Sequence, residues 1–148
     1  MSDAAEIAGP GLERELIRDA RVIAVVAHSA APDRPWRGVA RHLIDVGYTV
    51  YLVNPALDEA LGRRCYDRLQ ELPEHIDIVD VFVVPERVPP IVEDAIEVSA
   101  GAIWMQLGIR HEAAARRAST SGLQVVMDRC TKIEQRRLPL AERPREHG

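Results

Sequence analysis

The stretch from Val22 to Gly38 constrains the fold of this chain more than any other. It consists of the apolar run Val22–Val26, a polar loop, and an amphipathic segment that begins near Trp36. A short run of β-branched residues is typical of a strand buried on both faces of a parallel sheet. A helix that begins beside such a loop directs free N–H groups and its dipole towards it. The stretch therefore predicts a strand, a loop with an anion site, and a helix.

The rest of the chain repeats the alternation of strand and helix. Further strands are predicted at Thr49–Val53, Ile76–Val84, Ala102–Leu107 and Leu123–Met127. Helical spacing occurs in Leu12–Ala20, Trp36–Val46, a segment opened by Pro89-Pro90, and Glu112–Ser119, with shorter helical segments at Ala56–Leu61 and Asp67–Leu72. This order implies right-handed βαβ units. We expect an α/β fold in which a doubly wound, five-stranded parallel sheet carries helices on both faces.

The two ends of the chain differ from its middle. Residues 1–10 are small and polar, and residues 139–148 combine charges with prolines. We expect a flexible N-terminal lead-in over residues 1–10, one domain over residues 11–138, and a flexible tail over residues 139–148. Apolar residues around Leu138-Pro139-Leu140 are predicted to be exposed and to favour packing against a second copy, as in a homodimer.

Composition excludes several classes of protein. The formal net charge of −4 argues against nucleic-acid binding, because such a face is normally basic. No apolar stretch approaches the roughly 20 residues that span a bilayer, and the N-terminal segment does not resemble a signal peptide. The two cysteines, Cys65 and Cys130, form neither a disulfide framework nor a zinc motif. We therefore expect a cytoplasmic protein with no metal, no membrane partner and no nucleic-acid partner.

Polar residues follow the predicted strands, where the ligand of a doubly wound sheet binds. They are His28 and Ser29 after the first strand, Asn54-Pro55 after the second, Gln106 after the fourth and Cys130 after the fifth, while Val83-Val84-Pro85 ends the third. Because the carboxyl ends of parallel strands meet at one edge of a sheet, these segments should converge on one cleft.

Each of these residues has a functional and a structural interpretation. Ser29 could hold a phosphate with Arg34 or Arg37, or it could only turn the chain. Asn54 could present its amide to the cleft, or it could form an Asx turn that ends the strand. The amide of Gln106 is placed to contact a ligand.

Three other residues invite chemical roles that have simpler structural alternatives. His28 is a lone histidine, so a general-base role has little support. Cys130 follows Arg129, whose charge would activate a thiol, but a plain buried cysteine is the alternative. Trp104 is expected in the core rather than as a stacking platform.

Known nucleotide motifs are absent from the sequence. There is no GxGxxG fingerprint, and Asn54-Pro55 stands where an acidic residue would bind a ribose, so NAD binding is disfavoured. P-loop, zincin and hydrolase motifs are also missing.

Four segments nevertheless match one known family in order and spacing. They are Leu43–Pro55, Asp77–Phe82, Trp104–Gly108 and Val126–Lys132. Together they resemble the stand-alone CoA-binding Rossmann proteins, which are related to the CoA-binding domain of succinyl-CoA synthetase α subunits. The resemblance covers about residues 20 to 135.

The resemblance implies a Rossmann-like domain that binds CoA, or an acyl-CoA, mostly without an assigned reaction. It implies a diphosphate at the first loop, an adenine near the Asn-Pro turn, and a ligand that lies across the strand ends. Ser29, Arg34, Asn54, Pro55 and Gln106 match the family by position. The predicted cofactor-binding set is completed by Ala27, His28, Arg37, Val83 and Lys132.

The chain also departs from the family pattern around the predicted phosphate site. Ala27 stands in place of the usual Gly, Trp36 in place of Ser, and Gly38 and Val83 in place of frequent arginines. A Cβ at Ala27 hinders close approach of the backbone to phosphate, and each lost arginine removes charge-assisted bonds. Arg37 is a candidate replacement, although one residue turns a helical side chain by about 100°.

Three functions follow as alternatives. The first is a non-enzymatic CoA-binding protein, which we take as the prediction. The second is a CoA-linked thiol or acyl-transfer enzyme that uses Cys130. The third is a regulatory or interaction module whose pocket has decayed, with Trp36 blocking it.

Overall fold

The computed structural model describes residues 11–143, which form alternating strands and helices. The helices are α1 (Leu12–Asp19), α2 (Pro35–Asp45), α3 (Val88–Glu97), α4 (Glu112–Thr120) and α5 (Thr131–Arg137). The strands are β1 (Val22–Ala27), β2 (Thr49–Val53), β3 (Glu59–Ala60), β4 (Arg63–Tyr66), β5 (Ile78–Phe82), β6 (Ala102–Met105) and β7 (Gln124–Val126). Short 3₁₀ turns lie at Leu69–Glu71, Pro85–Arg87 and Leu140–Glu142.

All seven strands form one sheet in the order β3-β4-β2-β1-β5-β6-β7. The pairs are parallel except for β3 with β4. The chain proceeds outwards from β1 in one direction, then returns to β5 on the other side of β1. The α/β class and the doubly wound arrangement are confirmed, and the order of strands reverses between β1 and β5.

The predicted count of five strands is wrong, because β3 and β4 form a hairpin that was not expected. It occupies part of Ala56–Leu61, where a helix was predicted. Leu61 and Gly62 both have positive φ, 53° and 74°. A two-residue hairpin loop of type I′ needs positive φ at both central positions, and leucine seldom adopts it. The residue types therefore gave little sign of this turn.

Strand β1 is buried on both faces, as its composition predicts. Val22, Ala24 and Val26 point into one apolar cluster, which α3 and α4 cover. Ile23, Val25 and Ala27 point into the other, which contains residues of α1 and α2. The result is a sheet between two helical layers.

The C-terminal region contains a helix and a turn that its composition did not predict. Helix α5 was not expected. Oε1 of its Gln135 lies 2.6 Å from Nε2 of His42 in α2. Residues 140–142 form a turn, and Glu142 pairs with Arg14 of α1. The predicted flexible tail over residues 139–148 includes this turn; its residues 144–148, like the predicted lead-in over residues 1–10, lie outside the described residues.

The apolar surface predicted near the C-terminus is only partly present. Leu138 is buried at 2 % exposure, because it packs into the cluster that contains α1 and α2, whereas Leu140 is 81 % exposed. Within residues 11–143, no helix is both long and apolar enough to cross a membrane.

Two glycines should respond oppositely to alanine substitution. A Cβ at Gly101 would lie 2.8 Å from the backbone oxygen of Asp77, so Gly101→Ala should lower the free energy of unfolding by about 1–3 kcal/mol. A Cβ at Gly38 in α2 meets nothing within 4 Å, so Gly38→Ala should raise it by up to about 1 kcal/mol. Urea denaturation of both variants measures the difference, and equal effects would contradict the packing described here.

Candidate functional site

A cavity of about 670 Å³ opens at the carboxyl ends of β1, β5 and β6. This is the point where the strand order reverses, which is where ligands bind in doubly wound sheets. Fifteen residues line it: His28, Ser29, Arg34, Pro35, Trp36, Val39, Phe82, Val83, Val84, Pro85, Arg87, Gln106, Leu107, Ile109 and Cys130.

The first loop, after β1, is braced from two sides through the carbonyl oxygen of Ser29. Asn54 Nδ2 donates a hydrogen bond of 3.0 Å to this oxygen, and Trp36 Nε1 donates one of 3.2 Å. Asn54 Oδ1 also accepts from the N–H of Ala56 at 2.9 Å, which is an Asx turn. The amide of Asn54 is therefore engaged within the protein, and it fixes the loop at the cavity edge.

The loop itself leaves two features for a ligand. Ser29 Oγ accepts a hydrogen bond of 3.2 Å from the N–H of Ala31, so the hydroxyl proton can still be donated. Trp36 is only 2 % exposed and forms part of the wall. Its ring packs into the core and leaves the cavity open, unlike the blocked pocket of the decayed-module alternative.

Two arginines give the cavity a positive charge. Arg34 precedes α2, and Arg87 ends the 3₁₀ turn that follows β5. Neither forms an ion pair within residues 11–143, and none of the fifteen lining residues is acidic. Arg37 is not in the lining, since its guanidinium lies 4.9 Å from the centroid of the Trp36 ring.

His28 lies between the core and the cavity. Its partial burial, and secondarily the charge of Arg87, hold the pKa of the imidazole below its ordinary value. Its Nδ1 atom is buried and has no hydrogen-bond partner in the described chain. His28 therefore lines the cavity with an unpaired polar atom buried behind its surface.

The remaining wall is apolar and comes from the ends of β5 and β6. We call Phe82, Val83, Val84, Leu107 and Ile109 the apolar wall. Val84 is 54 % exposed and Leu107 is 63 % exposed, although both are large apolar side chains.

A buried polar network supports the floor of the cavity. Gln106 Nε2 donates to Asp80 Oδ1 at 2.7 Å and to Thr131 Oγ1 at 2.9 Å. Thr131 Oγ1 donates to Asp80 Oδ2 at 2.7 Å. Both protons of the Gln106 amide are therefore used, and its Oε1 atom is the part available to a ligand. The network joins the middle of β5, the end of β6 and the start of α5.

Burial dominates the acid–base behaviour of Asp80. The side chain is fully buried, and its removal from water raises the pKa to about 7, although the two hydrogen bonds act in the opposite direction. The protonation state of Asp80 within this network therefore changes near neutral pH.

The segments after β6 and β7 hold each other in place. Trp104 Nε1 donates to the carbonyl oxygen of Arg129 at 2.9 Å, and Asp128 Oδ1 accepts from the N–H of Gly108 at 2.7 Å. Asp128 has a φ of 59°, a conformation that aspartate tolerates better than most residues. Trp104 is completely buried, which confirms its assignment to the core.

The structure brings together half of the predicted binding set. His28, Ser29, Arg34, Val83 and Gln106 line the cavity, as does Cys130. The lining does not include Ala27, Arg37, Asn54, Pro55 and Lys132. Ala27 packs into the core, and Asn54 acts through the loop. Within residues 11–143, no three His, Cys, Asp or Glu side chains are grouped as a metal site would require.

Two important residues were missed by sequence reasoning. Asp80 could have been found, because an acid inside an apolar strand must be paired or protonated. Arg87 could not, because it reaches the cavity only through the 3₁₀ turn Pro85–Arg87.

Comparison with known proteins agrees with this fold. A family model described as a CoA binding domain matches residues 21–136. The chain belongs to this family of CoA binding domains, as the motif segments suggested.

Individual relatives extend the comparison. The uncharacterized protein YneT of Bacillus subtilis (strain 168) is 38% identical over 120 residues, which are 81% of this chain and 89% of that protein. The structure of a hypothetical protein from Pyrococcus horikoshii OT3 superposes with a TM-score of 0.81 at 37% identity, covering 85% of this chain and 89% of that one. An acetate–CoA ligase [ADP-forming] of Archaeoglobus fulgidus is 32% identical over 89 residues, which are 55% of this chain but 13% of the ligase.

Asp80 should make stability depend on pH. Its pKa is about 7 in the folded chain and about 3.9 in the unfolded chain. Unfolding therefore releases a proton at pH values between these two pKa values. The free energy of unfolding should therefore fall as pH rises from 5 to 7. Asp80→Asn should remove a slope of about 1.4 kcal/mol per pH unit.

Urea denaturation at pH 5, 6 and 7 checks this expectation by comparing Asp80→Asn with the native chain. Asp33→Asn, which alters an exposed acid, is the control and should keep the native slope. Parallel profiles for the native chain and Asp80→Asn would contradict the assignment.

Proposed function

We propose that this chain binds CoA, or a CoA thioester, in the cavity beyond β1, β5 and β6. One observation carries the proposal: Arg34 and Arg87 line the cavity without a carboxylate partner in residues 11–143, and no lining residue is acidic. Two uncompensated cations attract an anion, even on a chain with a net charge of −4. Membership in the family of CoA binding domains supports CoA as that anion.

The placement of the polar and charged residues supports one orientation of the ligand. The diphosphate lies beside the first loop, where the Ser29 hydroxyl donates and Arg34 supplies charge. The adenine lies near Asn54-Pro55, outside the cavity lining. The pantetheine arm runs past His28 and Gln106 Oε1 towards the ends of β5 and β6.

Arg87 supplies the positive charge for the phosphates that, in the family, often comes from an arginine at the position of Val83. Val83 stands there in this chain, and Arg37 is turned away towards Trp36. Arg87 is in the lining, and its charge reaches His28. The proposal therefore gives the phosphates two arginines despite the departures from the family pattern.

The proposal assigns binding and no reaction. Cys130 lies in the cavity wall, so the thiol-transfer alternative stays a prediction that rests on this residue. A cytoplasmic location and a nucleotide-like small molecule as the partner, rather than nucleic acid, belong to the same proposal.

Isothermal titration calorimetry with CoA tests the proposal. Arg34→Ala and Arg87→Ala should each weaken CoA binding by at least about tenfold, because each removes a charge-assisted bond of about 1.5–3 kcal/mol. Arg116→Ala, which alters an exposed arginine of α4 outside the cavity, is the matched control and should bind as the native chain does.

NAD is a useful second ligand in the same experiment, since it carries adenine and a diphosphate but no pantetheine arm. It should bind more weakly than CoA. Absence of heat with CoA at millimolar concentration, or equal weakening by Arg116→Ala, would overturn the proposal.

A further inference from the structure

The apolar wall is the part of the cavity that phosphate binding does not explain. Among residues 11–143, four large apolar side chains are exposed, and two of them, Val84 and Leu107, lie on this wall. They follow β5 and β6, which are paired neighbours in the sheet. Burial of exposed apolar surface lowers the free energy by roughly 25 cal/mol per Å².

The hydrophilic parts of CoA do not match this surface. Its phosphates and ribose belong with Arg34, Arg87 and Ser29, the cationic and hydroxyl-bearing residues of the lining. Its pantetheine amides need hydrogen-bond partners, and the side chains of the apolar wall offer none. An apolar group attached beyond the thiol matches the wall without leaving a polar group unpaired.

The size of the cavity allows such a group. Its volume of about 670 Å³ lies within the range of roughly 300–1,000 Å³ that is usual for small-molecule sites. The cationic residues and the apolar wall line one continuous cavity, so one amphiphilic ligand can contact both.

We propose that the cavity selects CoA thioesters with an apolar acyl chain, and that the acyl chain covers Val84 and Leu107. This inference rests on the proposed CoA-binding function. The thioester is held by its phosphates at the first loop, and the length of the acyl chain then determines affinity.

Calorimetric titration with free CoA and with acetyl-, butyryl-, hexanoyl- and octanoyl-CoA tests the inference. Affinity should rise about fourfold for each methylene that the wall covers. Octanoyl-CoA should therefore bind at least about tenfold more tightly than acetyl-CoA.

Substitutions of the wall residues test where the acyl chain lies. Leu107→Ala and Val84→Ala should lower the ratio of octanoyl-CoA to acetyl-CoA affinity, because less apolar surface remains to be covered. Leu140→Ala is the control, since Leu140 is also exposed and apolar but lies outside the cavity; it should keep the native ratio. Both wall residues are exposed, so their truncation should leave the fold intact, which circular dichroism verifies.

The outcomes separate this inference from the function on which it rests. Equal affinity for CoA and octanoyl-CoA overturns the inference and leaves CoA binding in place. The inference is also overturned if affinity depends on acyl-chain length in the same way in Leu107→Ala, Val84→Ala and Leu140→Ala, because the acyl chain then lies elsewhere. Failure of every ligand to bind overturns the proposed function itself.

Discussion

The position of β1 at the centre of the sheet is the constraint on which the rest of the structure depends. All six of its residues are buried, with β2 on one side and β5 on the other. A strand with partners on both edges and helices over both faces has only its ends free. The loop after Ala27 must therefore leave the sheet where the chain order reverses, and the cavity lies in the gap that this reversal creates.

The cavity depends on polar contacts that are buried or partly buried. Asn54 and Trp36 hold the carbonyl oxygen of Ser29, and Asp80 holds Gln106 and Thr131. These contacts fix the backbone and leave the ligand-facing atoms free. Asn54 and Gln106, which belong to the motif segments, mainly hold the backbone around the cavity in place. Exposed residues such as Arg34, Arg87 and Leu107 are available for contacts with a ligand.

The fold was predictable because each main strand is a continuous run of apolar residues. Such a run can be recognised without knowing which residues it contacts elsewhere in the chain. The strand ends, and hence His28, Ser29, Val83 and Gln106, followed from the topology. The hairpin at Leu61-Gly62 was not predictable, because it needs a backbone conformation that leucine rarely adopts. The place of Arg87 depends on the direction of a short turn, and the inward position of Leu138 depends on helix α5. Both are set by tertiary packing, which local spacing does not encode.

A crystal structure of the chain grown with CoA tests the central claim most directly. We predict CoA in the cavity at the ends of β1, β5 and β6, with its diphosphate beside Ser29 and within reach of Arg34 and Arg87. An empty cavity at saturating CoA, or CoA bound on another surface of the molecule, would contradict the account.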